Sequence, residues 1–452
     1  MAEVLDGSIR IAVLARNLLF DDYMIGSIVA VVAIPLLLSR RRWLVAEKLL
    51  FAVVVGLLLI SYTVRVGRGL YISWDFRTFH RAGTLALAGS NPYAVQPDVA
   101  PFMNPPTSLP LVKLFGLASL PAASRIWTAV NALLLLVSPY LAWKALASSG
   151  QGSDDRAGSF PWVAASCLYL STAALWGIDA GQLCNLVAMM LLAGVWLRNR
   201  RRPGCAGIAL SIATLKVGTL IPVLTQFLGR RDRAFWLGLL ASGLLLGVLG
   251  SPLSAWPDQC RANVSMIRES QKHGEINDYS FDGLYHDDII SISRWLYCLG
   301  LREHRVIAGL EFLMLAAVGG WLTWETVSGR TAPDATLALA FVFGCFFLYH
   351  RLYDTVALAP AMIYCSEMAR RESGWRRASF GLVVVGLMAV INMPRGEAFR
   401  DLAAWSVHAG LAGRIVQVLV LPYVIWVLFG SMAVIRLGAP PLQSAGPSQP
   451  AR

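Results

Sequence analysis

Asp75 is the acidic residue best placed for chemistry, because it comes directly after an apolar run, in the stretch SWDFRTFHRAG. A carboxylate at that membrane–water boundary can take a proton from a hydroxyl. It can equally cap the helix that starts there. Arg77, His80 and Arg81 follow it at i+2, i+5 and i+6. Later in the chain, FFLYHRLYDT carries His350, Arg351 and Asp354. His350 and Asp354 share a face at i and i+4, so the carboxylate is in position to orient the imidazole. Arg and Tyr also anchor segments at membrane interfaces, which is the alternative reading of that stretch. His286-Asp287-Asp288 has metal-ligand chemistry, although a solvated loop accounts for it more simply. Lys216 interrupts an apolar run, where a structural or headgroup-facing role is expected.

The elements that position these residues follow from composition. Hydrophobic residues make up 56% of the chain and charged residues 15%, against roughly 45–50% and 25% in soluble domains. The mean hydropathy is +0.58. Lipid is the natural solvent for such a chain, and the expected fold is an all-α polytopic integral membrane protein. Twelve apolar runs lie between residues 23 and 435, most of them near the roughly 20 residues a span requires. The segment before Tyr23 carries Asp6, Arg10, Arg16, Asp21 and Asp22, so no cleavable signal peptide is expected.

Arginine clusters set the sides. Arg40–Arg42, Arg198–Arg202, Arg230 to Arg233 and Arg370 to Arg377 lie between apolar runs, and the positive-inside bias places them on the cytoplasmic face. All four share that face only if Gly204–Leu228 enters and leaves on one side, as a re-entrant pair of half-helices broken near Lys216 and Pro222. The expectation is therefore about eleven transmembrane helices plus one re-entrant pair, in a single domain over residues 1–436. Loops 65–125 and 251–305, the Asp179–Gln182 turn and the His350 turn share the outer face. Residues 437–452 read as a disordered cytoplasmic tail.

The net charge of +12 is spent on this bias, and no compact basic domain exists to bind nucleic acid. Seven cysteines lack zinc-ligand spacing. Cys260 and Cys298 share one outer loop and are candidates for a disulfide.

The order Asp75, Phe79, Gly89, Asn91-Pro92-Tyr93, Pro105-Pro106, Leu120-Pro121 resembles the first outer loop of glycosyltransferase family 87. The resemblance continues in Gly181-Gln182-Leu183-Cys184-Asn185 and in AGIALSIATLKVGTLIPVL, with Lys216 at the family's lysine position. Asn104 stands where the family usually has Tyr before Pro-Pro.

The resemblance implies a C-type glycosyltransferase-like helical bundle that transfers a hexose, mannose in the first instance, from a polyprenyl-phosphate donor to a glycolipid or glycan acceptor. It implies Asp75 as the base. A lipid-linked sugar phosphate brings its own leaving group, so one carboxylate facing the acceptor hydroxyl suffices, and the geometry is inverting. The departing phosphate then needs donors or cations. Candidates for donor and substrate binding are His350, Arg351, Asp354, Arg77, Gln182, Arg268 and Arg294. No cofactor is required by this chemistry, although a divalent metal fits it too. A transporter or lipid flippase would share the helices but would place ionisable groups mid-span, and a non-catalytic subunit of a glycan-assembly complex would not need Asp75.

Overall fold

A computed structural model describes residues 22–39, 43–67, 74–94, 99–149, 160–228, 232–281, 283, 289–345, 347, 350–392 and 397–439. Arg40–Arg42, Arg230, Arg231, His286–Asp288 and the segment from 440 to 452 lie outside the described residues.

The helices in chain order are α1 (Asp22–Leu38), α2 (Leu44–Gly67), α3 (Trp74–Leu87), α4 (Leu109–Gly116), α5 (Leu120–Ser149), α6 (Trp162–Tyr169), α7 (Thr172–Asp179), α8 (Cys184–Asn199), α9 (Pro203–Ala213) and α10 (Val217–Leu228). There follow α11 (Arg233–Gly250), α12 (Trp256–Ser270), α13 (Ile292–Cys298), α14 (His304–Ser328), α15 (Pro333–Gly344), α16 (Ala359–Arg371), α17 (Gly374–Ile391), α18 (Glu397–His408), α19 (Gly410–Ile415) and α20 (Tyr423–Gly438). Two short strands, β1 (Ile289–Ile290) and β2 (His350–Arg351), pair antiparallel with Ile290 opposite His350.

This is an all-α polytopic membrane protein. Among the described residues five helical stretches, Pro203–Leu228 among them, are long and apolar enough by length and composition to cross a membrane, or seven if each bent pair counts as one span. Lipid-facing rows explain their composition. On α11, Leu237, Leu240, Leu244 and Val248 are exposed at helical spacing, a pattern that in water would be an aggregation surface. Several of the twelve apolar runs are instead short helices held inside protein. On α15 every residue from Asp334 to Gly344 is buried, and at 12 residues its length of about 18 Å is too short to cross a core of about 30 Å alone.

The run Pro203–Leu228 passes a test of length and apolarity as one helix of 26 residues, which if straight would hold its ends about 39 Å apart. The contacts rule that out. Arg198 Nη1 donates to the Gln226 carbonyl at 2.7 Å, and the Arg198 guanidinium lies 4.6 Å from the Phe227 ring centre. Arg198 is only a short turn ahead of Pro203, so the two ends of the run meet. The chain turns back at the 3-10 turn Thr214–Lys216, so α9 and α10 form a helical hairpin, the shape the arginine pattern requires. Gly207 and Gly238 let α9 and α11 touch backbone to backbone, since a Cβ on either would collide with main-chain atoms of the other helix. A bend of 116° separates α7 from α8.

Basic residues collect at one end of the bundle. Arg370 pairs with the buried Glu47 at 3.3 Å, Arg377 donates to the Leu38 carbonyl at 2.6 Å, and Arg376 donates to the Gly438 carbonyl. The Arg198 end joins them through Asn199, which donates to the Ala145 carbonyl at 3.1 Å, and through the Trp143–Phe160–Phe51 ring contacts. The Asp75 and His350 segments occupy the opposite end.

Candidate active site

Asp75 lies in the first turn of α3. Its carboxylate does not close the helix end as a capping reading expects. Instead Oδ2 accepts from Gln182 Nε2 at 2.6 Å, and Oδ1 has no hydrogen bond among the described residues. Gln182 follows Gly181, which has φ +64°, a left-handed conformation that glycine adopts without penalty. That turn is held from α5: Trp127 Nε1 donates to the Gly181 carbonyl at 2.8 Å and Asn131 Nδ2 to the Gln182 carbonyl at 3.0 Å. Asn185 Nδ2 completes the network by donating to Asn131 Oδ1 at 2.9 Å. A fully buried amide such as Asn131 is tolerated in apolar surroundings because its donors and acceptors are met.

Helix α3 is fixed in turn. His80 Nε2 lies 2.9 Å from the Ala118 carbonyl. The α3–α4 crossing is so close that a Cβ on Gly83 would collide with the Val112 carbonyl.

The second cluster is built on the turn after β2. Asp354 is buried; its Oδ2 accepts from the Arg351 backbone N–H at 3.1 Å and meets His350 Nδ1 at 3.2 Å. Its Oδ1 faces Lys216 Nζ at 2.5 Å. Burial by itself would raise the Asp354 carboxyl, but the Lys216 ammonium and the His350 hydrogen bond outweigh it and hold the group at about 2. Asp354 is therefore a fixed anion, not a base. His350 is fully buried, and its Nε2 has no hydrogen-bond partner among the described residues. The Arg351 guanidinium reaches across to the loop after α12, donating to the Ile276 carbonyl at 3.0 Å and to Asn277 Oδ1 at 3.3 Å.

The two clusters flank the same chain reversal. Gln182 precedes α8, and the segment Leu352–Leu358 packs against α7 and α8. A Cβ on Gly177 of α7 would touch both Cys184 and Tyr353.

Some expected residues stand elsewhere. Arg77 is exposed and sits two positions from Asp75, about 200° around the helix, so it does not share the Asp75 face. Arg268 is exposed on α12. Arg294 is buried on α13, beside Ile289, Trp295 and Pro422, and its backbone N–H is capped by Ser291 Oγ at 3.1 Å. None of these three makes a described hydrogen bond to either cluster. Cys260 is exposed, Cys298 is buried, and the two are not joined.

For Lys216 the sequence suggests a structural or headgroup-facing role, and the structure gives it a specific partner. The hairpin brings it to Asp354, 138 positions away. Asn104 is also more than a departure from Tyr: its Nδ2 donates to the Leu215 carbonyl at 3.2 Å, and its own carbonyl accepts from Tyr93 Oη at 3.0 Å and Asn263 Nδ2 at 3.1 Å. The signal for Asn131 was present, an amide in the middle of a long apolar helix, where polar groups are costly and therefore informative.

Comparison with known proteins agrees with this architecture. Over 348 aligned residues, 73% of this chain and 72% of the relative, the protein is 25% identical to the polyprenol-phosphate-mannose-dependent alpha-(1-2)-phosphatidylinositol mannoside mannosyltransferase of Mycolicibacterium smegmatis. The sequence model of glycosyltransferase family 87 matches residues 102–350, more than half of the chain. Gln182, Lys216 and His350 fall inside that stretch, and Asp75 precedes it. The helical membrane bundle and this match together make the chain a multi-pass membrane glycosyltransferase that belongs to glycosyltransferase family 87.

Proposed function

We propose that the protein transfers a hexose, mannose in the first instance, from a polyprenyl-phosphate donor to a hydroxyl of a glycolipid or glycan acceptor on the outer face of the membrane. The observation that carries the reading is the Asp75–Gln182 hydrogen bond of 2.6 Å. It orients one oxygen of a half-buried carboxylate and leaves the other for an acceptor hydroxyl. The donor class is taken from the relative's mannosyltransferase, and the lipid bilayer supplies the donor laterally.

In the step itself the acceptor oxygen bonds to the anomeric carbon while its proton passes to Asp75. The anomeric C–O bond breaks with its electron pair, which leaves on the polyprenyl phosphate. The phosphate thus goes from diester to monoester and gains negative charge, so donors held at that position stabilise the transition state more than the bound donor. The His350 turn suits this role, because its buried Nε2 is unmet among the described residues and Arg351 anchors the turn to the second outer loop. Attack from the face opposite the leaving phosphate inverts the anomeric centre.

The test is Asp75→Asn. Asparagine keeps the size and can still accept from Gln182, so the fold survives, but it takes no proton near neutral pH. Transfer from radiolabelled polyprenyl-phosphate-mannose in isolated membranes is expected to fall about 100-fold or more at normal expression. Near-normal transfer by this variant would end the assignment of Asp75 as base.

A further inference from the structure

Lys216 sits at the tip of the α9–α10 hairpin, and three features of its surroundings point to a ligand. First, an ammonium has three donors, and the described partners of Lys216 Nζ are one carboxylate oxygen at 2.5 Å and the face of Tyr353, 4.8 Å from the ring centre. Second, the pair is lopsided: the Lys216 side chain is 19% exposed and that of Asp354 2%, so the cation is on the open side. Third, the same carboxylate holds His350, whose side chain is fully buried with Nε2 unmet among the described residues. Buried polar groups in folded proteins are ordinarily satisfied. An ammonium on the open side and an imidazole nitrogen without a partner, bridged by one carboxylate, suit the oxygens of a phosphate.

We propose that Lys216 is a cation of the donor-phosphate pocket, with Asp354 as its resting counter-ion and Asn104 holding the hairpin tip in register through the Leu215 carbonyl. This rests on reading the His350 turn as the place where the polyprenyl phosphate lies. The phosphate shares the Lys216 ammonium with Asp354, and the share grows as the anomeric bond breaks. A purely structural lysine would do no more than neutralise a buried carboxylate.

Those two roles separate in a double variant. Lys216→Met alone strands a buried carboxylate and is prone to misfold, so the informative proteins are Asp354→Asn and Lys216→Met/Asp354→Asn. Asparagine still presents an oxygen to His350 Nδ1. Each purified protein is titrated with polyprenyl phosphate, with polyprenol and with inorganic phosphate, following thermal stabilisation. Wild type is expected to respond to polyprenyl phosphate and not to polyprenol. Response to inorganic phosphate at similar concentration would mean an anion site that ignores the lipid, and would overturn the donor assignment. Asp354→Asn is expected to bind polyprenyl phosphate at least as tightly as wild type, because the competing counter-ion is gone. The double variant, equally stable without ligand, is expected to bind at least tenfold more weakly. Wild-type affinity in the double variant, with binding lost in His350→Gln, overturns the role of Lys216 and leaves the phosphate reading of the turn standing. No response of wild type to polyprenyl phosphate overturns both.

Discussion

Replacing Gln182 with leucine removes the donor that orients Asp75 while leaving the rest of the turn in place. The Gln182 carbonyl stays bound to Asn131 and the Gly181 carbonyl to Trp127, because both bonds use the backbone. Leucine approximates the lost volume, so the melting midpoint should stay close to wild type. What is lost is a 2.6 Å hydrogen bond to a carboxylate, and bonds to charged groups contribute about 1.5–3 kcal/mol. Asp75 is half-buried, so water replaces part of the interaction and the lower end of that range applies. At about 1.36 kcal/mol per tenfold, a loss of about 1.5–2 kcal/mol becomes a fall in kcat of about 10- to 30-fold. The donor KM should hardly move, because Gln182 touches the base and not the His350 turn. The assay is initial-rate mannosyl transfer from purified enzyme at varied polyprenyl-phosphate-mannose, with a melting curve on the same sample. A wild-type kcat would show that Asp75 needs no orientation by Gln182 and would refute the reasoning. A melting midpoint far below wild type would assign Gln182 to folding instead.

Two further outcomes test the architecture. Single cysteines at Arg201 and Arg371 are expected to react with an impermeant thiol reagent only after the membrane is opened, and one at Lys272 without opening, in a background lacking the native cysteines; the reverse pattern inverts the orientation. Gly83→Val is expected to abolish membrane accumulation, because its side chain would occupy the space of the Val112 carbonyl in α4, whereas Gly89→Asn, at φ +71° with open space around it, should accumulate normally; equal accumulation of the two would show that the α3–α4 crossing is looser than described.

Much of this protein is written locally. Runs of apolar residues report depth in the bilayer, and arginine placement reports ends, because both depend only on the exchange of side chains between water and lipid. That is why a hairpin over Gly204–Leu228 followed from counting sides, and why Asp75, Gln182, His350, Arg351 and Asp354 were legible as candidates from their places at the ends of apolar runs. Apart from His350 and Asp354, four residues apart and in contact at 3.2 Å, which of them meet was not legible. Gln182 lies 107 positions from Asp75 and Lys216 lies 138 from Asp354, and helical periodicity names a face without naming the neighbour that face will touch. Arg77, Arg268 and Arg294 carried the right charge in the right loops, yet rotation about α3, exposure on α12 and burial on α13 keep them out of both clusters. The partner of Lys216 was out of reach for the same reason: it depends on how sharply the chain turns at Thr214–Lys216, and that angle is decided by packing of α9 on α11 and of α10 on α15. Side-chain chemistry is a property of the residue, but proximity is a property of the bundle.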